Sequence, residues 1–465
     1  MSQILFFALF FAIYAIYIGI AFVTSKSSKS VDDYFLAGRN LTLFQTIVSL
    51  VATQLGGGFI LGISQDSYKF GYYGLLYAIG ICLGFLMLGF GAAFKLRAFK
   101  IETISQIFEN YYGSSNLRKF SSIISILSLI GIFTAQIVGS KSLLLSLGVY
   151  NNILFIILWS IIIIYAMVGG LKAIVQNDIM QLCLIIIVFL TLFLCDFIFN
   201  FSQFFLIFES LFKDKIFVAE DINLKYLLPV AIIPALYSLI EQDLAQIFFA
   251  CKSPKYAKIA SFGSGIVLFL FALIPLYFGV KAKFLNINIE DSCNPLMSLF
   301  SQNYSSLITI FVSYGVLAAI ISTANGILCA ISSSIVKDFN LLDLKNNKSN
   351  IIISKLVMLF VGIIGLLAAF YLKDIIKVLV DSYAITISST FVSILAVYIV
   401  ASKQNNYKIM MPKLAAYLSF FSGLFSFIIF LTLDTSIFVN PEFDSFVLSL
   451  IFYILGYSIE KYYKY

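Results

Sequence analysis

The chain has 465 residues, of which 61% are hydrophobic and 11% charged, with a formal net charge of +7. Soluble globular proteins carry roughly 25% charged residues, and a mean hydropathy of +1.01 excludes that class. Apolar runs of about 20 residues recur from end to end, each able to cross roughly 30 Å of hydrocarbon, so the chain is read as an all-α polytopic membrane protein.

Histidine is absent, which removes histidine triads, histidine metal sites and histidine acid–base chemistry. An enzyme is not expected. The cysteines (Cys82, Cys183, Cys195, Cys251, Cys293, Cys329) lie scattered through apolar runs without a C-x-x-C pair, which fits membrane packing better than metal or redox chemistry. Basic residues cluster in short loops beside the runs, where they set topology; no nucleic-acid partner is implied.

About 13 spans are expected, near 3–24, 43–65, 71–94, 120–147, 152–169, 177–200, 226–248, 257–280, 304–335, 351–372, 375–401, 411–432 and 444–462. The first lacks the basic lead-in and small-residue cleavage site of a signal peptide and is read as a retained span. The longest connections, 201–225 and 281–303, have room only for short amphipathic pieces. One transmembrane domain over 1–465 is expected.

The second span is interrupted by Gly56-Gly57-Gly58. Glycine costs roughly 1 kcal/mol per residue in a helix relative to alanine, so three together invite unwinding. Unwound backbone survives in lipid only where protein or a water-filled cavity satisfies it. The carbonyl end of a half-helix favours a cation, which makes the oxygens around Thr53 and Gly56 candidate ligands. The competing reading is close helix packing across small residues.

Between spans five and six runs Gly169-Gly170-Leu171-Lys172-Ala173-Ile174-Val175-Gln176-Asn177-Asp178. Asp178 is expected to begin span six on the cytoplasmic side. There it would either cap the helix or draw a departing cation along an ion path.

Span seven carries a second interruption. Pro229 and Pro234 each remove a helical donor, and Glu241, Gln242 and Asp243 follow at membrane depth, with Gln246 beyond. Breaks at spans two and seven, five apart, put two halves in opposite orientation. That is the pattern of a five-plus-five inverted-repeat transporter, with repeats at 43–200 and 226–401. The helix 3–24 would flank the first repeat, and two helices over 411–462 the second.

In span nine, Ala319, Ser322 and Thr323 share one helical face. One carbonyl and two hydroxyls suit a monovalent ion, because they add no net charge. Simple back-bonding of Ser and Thr to their own helix is the alternative. With the N-terminus outside, the cytoplasmic segments hold more than twice as many Lys and Arg as the others, so the C-terminus is expected inside.

In this order the motifs resemble the sodium:solute symporter family. They are Asp33-Tyr34-Phe35-Leu36-Ala37-Gly38-Arg39, the glycine break, Gly169-Gly170 through Asp178 and Gln181, Glu241-Gln242-x-x-x-Gln246, and Ile321-Ser322-Thr323-Ala324 leading to Ser332-Ser333-Ser334. The resemblance implies a leucine-transporter-type core and a sodium site between spans two and nine. That site maps onto backbone oxygens of Thr53, Gly56 and Ala319 and the hydroxyls of Ser322 and Thr323, and Asp178 matches an acid near the inner sodium path. Ile247 stands where the family often has Arg, and Glu241 where many members have Asp. The single tryptophan is Trp159, away from either break, which weighs against proline as solute.

The expected activity is sodium-coupled symport of a small polar solute (amino acid, sugar, carboxylate or vitamin) by a monomer in the bacterial inner (plasma) membrane. Na+ is the coupling ion, and lipid and solute are the other partners. Substrate contacts are expected from Gln54, Phe59, Gln136, Ser238, Glu241 and Gln242. Proton coupling through Glu241 or Asp178, and a non-transporting sensor of the same fold, are the alternatives.

Overall fold

A computed structural model describes residues 2–25, 30–213, 224–289, 293–341, 347–372, 375–400, 410–433, 435–437 and 440–463. Residue 401, the end of one expected span, and 214–223, in the first long connection, lie outside these. The described residues are helical apart from turns, with one isolated bridge pairing Leu41 with Cys251.

The principal helices are α1 (Ser2–Ser25), α2 (Leu43–Gln54), α3 (Ile63–Phe70), α4 (Leu76–Met87), α5 (Ala93–Ala98) and α6 (Ser115–Ser146). They continue with α7 (Asn152–Phe199), α8 (Leu224–Tyr237), α9 (Gln242–Ala250), α10 (Pro254–Phe284) and α11 (Ser306–Asp338). The remainder are α12 (Asn347–Ala368), α13 (Ile375–Thr386), α14 (Val392–Val400), α15 (Lys413–Leu433) and α16 (Pro441–Tyr463). Short helices at Phe201–Lys213 and Pro295–Asn303 occupy the two long connections.

Among the described residues, ten helical stretches are long and apolar enough to cross a membrane, against the thirteen spans expected. Two of them, Gly58–Ala98 and Asn152–Phe199, are 41 and 48 residues long, or roughly 60 and 70 Å at 1.5 Å per residue. Each exceeds one bilayer and each bends at a glycine of positive φ, Gly71 (60°) and Gly170 (62°). The third difference is the span expected at 226–248, which the structure divides into α8 and α9.

Burial sorts centre from periphery. In α11, 83% of the apolar window is buried, against 28% for α1, α12 and α16. α11 is therefore the central helix, packed on α2, α6, α7, α9 and α12. Before α2 the chain is held by two capping boxes, Ser30 with Asp33 and Thr42 with Gln45. Each satisfies donors that a helix start leaves open.

Glycine lets helix backbones touch where α4 crosses α8. A Cβ built on Gly80 would lie 2.2 Å from the Ala231 carbonyl oxygen, a backbone atom that cannot swing aside. Gly80→Ala is expected to overpack this crossing by about 1–3 kcal/mol and lower the apparent melting temperature of the detergent-purified protein by several degrees. Gly19→Ala is the control, because nothing lies within 4 Å of a Cβ there. Equal melting temperatures for both variants would show that the crossing tolerates the methyl group.

Candidate solute and ion site

The first helix break begins where α2 stops at Gln54. Leu55 leaves helical geometry (ψ 41°), and the Gly56 carbonyl accepts from the N–H groups of Phe59 and Ile60, both at 3.1 Å, to restart the helix. The Gly57 N–H is taken by Gln136 Oε1 of α6 at 2.7 Å. A Cβ on Gly56 would lie 2.7 Å from both Gln136 Oε1 and Thr323 Oγ1. Only glycine admits both neighbours.

The second break lies at Ser238–Ile240, between α8 and α9, a turn beyond the prolines. The Ser238 hydroxyl donates back to the Pro234 carbonyl at 2.8 Å, and the freed Leu239 carbonyl accepts from the Tyr398 hydroxyl at 3.0 Å. Glu241 is the N-cap residue of α9, and Asp243, in its first turn, accepts from the Leu244 N–H at 3.0 Å. The helix N-terminus favours negative charge there.

The two breaks meet. Gln54 Nε2 donates to Glu241 Oε2 at 3.2 Å, and the Glu241 and Asp243 carboxyl groups face each other. Around them is a narrow void lined by Gln54, Phe59, Gln136, Glu241, Asp243, Tyr77, Tyr383 and Leu379, among others. Each of these is buried. Among the described residues, no Lys or Arg lines it.

An oxygen-rich corner adjoins this void. Thr323 Oγ1 donates to the Thr53 carbonyl at 2.7 Å, with the Ala319 carbonyl at 3.2 Å and the Ala52 carbonyl at 3.5 Å. Next to it on α11, the Ser322 hydroxyl donates to Asp178 Oδ1 at 2.6 Å, while Ser49 of α2 donates to Oδ2 at 2.6 Å. Asp178 thus ties α2, α7 and α11 together. It does not begin a helix as expected: α7 resumes directly after Gly170, and Asp178 lies within it, fully enclosed. The capping role is thereby excluded.

Gln54, Phe59, Gln136 and Glu241 converge on the void, and Thr53, Gly56, Ala319 and Thr323 on its oxygen-rich side. Ser238 and Gln242 do not line it. Ser238 is spent on Pro234, and Gln242 Oε1 accepts from the Ile104 N–H at 2.8 Å. Sequence reasoning passed over Asp243 as a lining group, although its neighbour Glu241 was marked. It also missed Tyr77 and Tyr383, single tyrosines inside apolar runs with no local signal.

Both ends of the void are shut. At one end Arg118 pairs with Asp338 at 2.9 Å and Glu109 at 2.6 Å, and Lys337 with Glu102 at 2.7 Å and Asp32 at 3.0 Å. Thr103 adds a bond to Asp338 at 2.6 Å. Toward the other end the Tyr77 and Tyr383 hydroxyls bond at 3.1 Å. The Tyr383 ring stacks on Tyr237 at 4.3 Å, and Leu379 covers Gly58.

A match to the sodium:solute symporter family covers residues 34–415. Among solved structures, a Na+-coupled sialic acid symporter in a substrate-bound outward-open state is similar over 98% of this chain and 96% of its own, with TM-score 0.78 at 19% identity. MHP1, a nucleobase-cation-symport-1 family transporter closed around bromovinylhydantoin, is similar over 94% and 95%, with TM-score 0.57 at 13% identity. MhsT in complex with L-phenylalanine is similar over 90% and 98%, with TM-score 0.56 at 12% identity. At such identities the likeness is one of fold, and it is the leucine-transporter-type inverted-repeat fold with broken second and seventh spans.

The charged end makes a direct prediction. The Asp338 side chain is wholly inaccessible, and removing the partner of a buried charge costs about 3–5 kcal/mol. Arg118→Gln should therefore populate an arrangement opened at that end. Cys329, buried against Gln246, should then be alkylated at least tenfold faster, measured site by site by peptide mass spectrometry. Cys293, half-buried in the connection between α10 and α11, should keep its rate. An unchanged Cys329 rate would mean that the ion pairs do not hold this end shut.

Proposed function

The chain belongs to the sodium:solute symporter family, and from that premise we propose that it imports a small organic solute together with sodium, by alternating access around the void between the two helix breaks. The observation that carries this reading is the approach of Thr323 Oγ1 to the Thr53 carbonyl at 2.7 Å, beside that void. It brings a hydroxyl of α11 onto the carbonyl end of α2, where the helix dipole favours a cation.

Sodium is the coupling ion. Carbonyl oxygens of Ala52, Thr53 and Ala319 and the hydroxyls of Ser322 and Thr323 would hold it, an all-oxygen set suited to a hard cation. Gly56 contributes room for this approach, its own carbonyl being used to restart the helix. Asp178, already bonded to Ser322 and Ser49, lies beside the way out. Gln54, Phe59, Gln136 and Glu241 are the solute contacts.

Sodium bridging α2 to α11 would stabilise the substrate-ready arrangement, and solute would stabilise sodium by the same free energy. One charge crossing 100 mV yields roughly 2.3 kcal/mol, and a tenfold sodium gradient about 1.4 kcal/mol. Together these sustain accumulation of several hundredfold. In this reading the chain works as a monomer in the plasma membrane, with its N-terminus outside and the charged end cytoplasmic. Repeats at 43–200 and 226–401 would rock against each other.

Sodium-induced thermal stabilisation of the purified protein tests the ion site. The double variant Ser322→Ala with Thr323→Ala should raise the sodium concentration for half-maximal stabilisation at least tenfold, with the salt-free melting temperature within a few degrees of wild type. Retained sodium affinity would move the site elsewhere.

A further inference from the structure

The charge around the void does not balance. Glu241 and Asp243 bring two carboxyl groups to its wall, and no Lys or Arg among the described lining residues answers them. Burial here is nearly complete, with Glu241 4% and Asp243 3% exposed. An uncompensated charge in such surroundings is costly. The N-terminus of α9 meets part of the need at Asp243, through the Leu244 N–H. Glu241 accepts from the Gln54 amide and bonds to Asp243, and neither partner brings a positive charge. Facing each other without water, the two carboxyl groups hold one proton between them and so carry one negative charge. A sodium ion in the neighbouring oxygen-rich corner would be answered by Asp178, which is bonded to Ser322, so the charge of the pair is left unmet.

A second, independent feature points to a ligand. Gln136 is 2% exposed and lines the void. Its Oε1 is fixed on the Gly57 N–H at 2.7 Å, which orients the amide. Among the described residues the Nε2 group has no acceptor, and the side chain borders the void. A donor held in this way calls for an acceptor on whatever enters. The aromatic rings of Phe59, Tyr77 and Tyr383 complete the wall, and aromatic faces attract cations.

We infer that the transported solute is a small organic cation, an amine or quaternary ammonium compound carrying a hydrogen-bond acceptor. Its positive group meets Glu241 and Asp243, and its acceptor meets the Gln136 amide. Anionic solutes are disfavoured by the same two carboxyl groups. This inference rests on the proposed symporter reading for the location of the site, and goes beyond it in naming the solute class.

The test is a binding panel on the full-length purified protein, read by thermal shift in sodium chloride and in potassium chloride. The cationic probes are choline, ethanolamine, putrescine, agmatine and carnitinamide. The neutral or anionic probes are glucose, L-proline, pyruvate and N-acetylneuraminate. At least one cationic probe should stabilise the protein in sodium chloride by several degrees and more weakly in potassium chloride. Glu241→Gln should then weaken its apparent affinity at least tenfold. A salt-free melting temperature of Glu241→Gln within a few degrees of wild type, with an unchanged gel-filtration profile, shows that this variant is folded.

The inference is overturned if no cationic probe binds, if only neutral or anionic probes bind, or if Glu241→Gln binds the cation like wild type. Failure of the symporter reading is a separate result, because it appears as a wild-type protein that sodium alone does not stabilise.

Discussion

A bilayer offers no water to a backbone donor released at mid-depth, so a broken membrane helix exists only where a specific partner receives that donor. Here the partner is Gln136 Oε1, which takes the Gly57 N–H at 2.7 Å. An unsatisfied buried donor costs about 1–3 kcal/mol, so this one bond decides whether the glycine break is tolerable. It also sets the geometry around it. Gln136 and Thr323 can both close on Gly56 because that residue has no Cβ, and this brings α6 and α11 onto the end of α2. With the Gln136 carbonyl oxygen committed, its NH2 group is left for the void. Backbone repair and ligand recognition are thus carried by opposite ends of one amide.

The same logic explains what the sequence could reveal. Apolar runs are local, and the helices fall where the runs do. Three adjacent glycines are local too, and α2 ends within two residues of them. The second break was less legible. Pro229 and Pro234 suggested it, yet both lie inside α8, and the chain leaves the helix at Ser238–Ile240. A proline removes one donor, a loss the helix absorbs. The break itself depends on Tyr398, whose hydroxyl takes the Leu239 carbonyl from 159 residues away. Nothing in residues 238–240 announces that partner.

Gln242 misled for a related reason. Polar and next to Glu241, it reads as a site residue, but its carbonyl oxygen holds the Ile104 N–H and so fixes the connection between α5 and α6. Asp178 was misjudged through Gly169-Gly170, a signal that reads as a helix boundary. Gly170 does bend the chain, but helical geometry resumes at once. Asp178 is left deep within the bundle rather than at a mouth.

The two closures around the void differ in kind, and the difference bears on how they open. The charged end is held by Arg118, Lys337 and the acids Asp32, Glu102, Glu109 and Asp338. When that end parts, those groups regain hydration, which offsets much of the lost ion pairing. The tyrosine end gains no such return, because separating Tyr383 from Tyr237 and Leu379 from Gly58 exposes apolar surface. The aromatic closure therefore favours staying shut unless something within the void holds its walls apart, or binding elsewhere favours the open form. A bound ion can shift such an equilibrium only by its differential affinity for the two arrangements. The oxygen-rich corner meets that condition: its ligands come from α2 and α11 together, and any movement of one helix against the other disperses them.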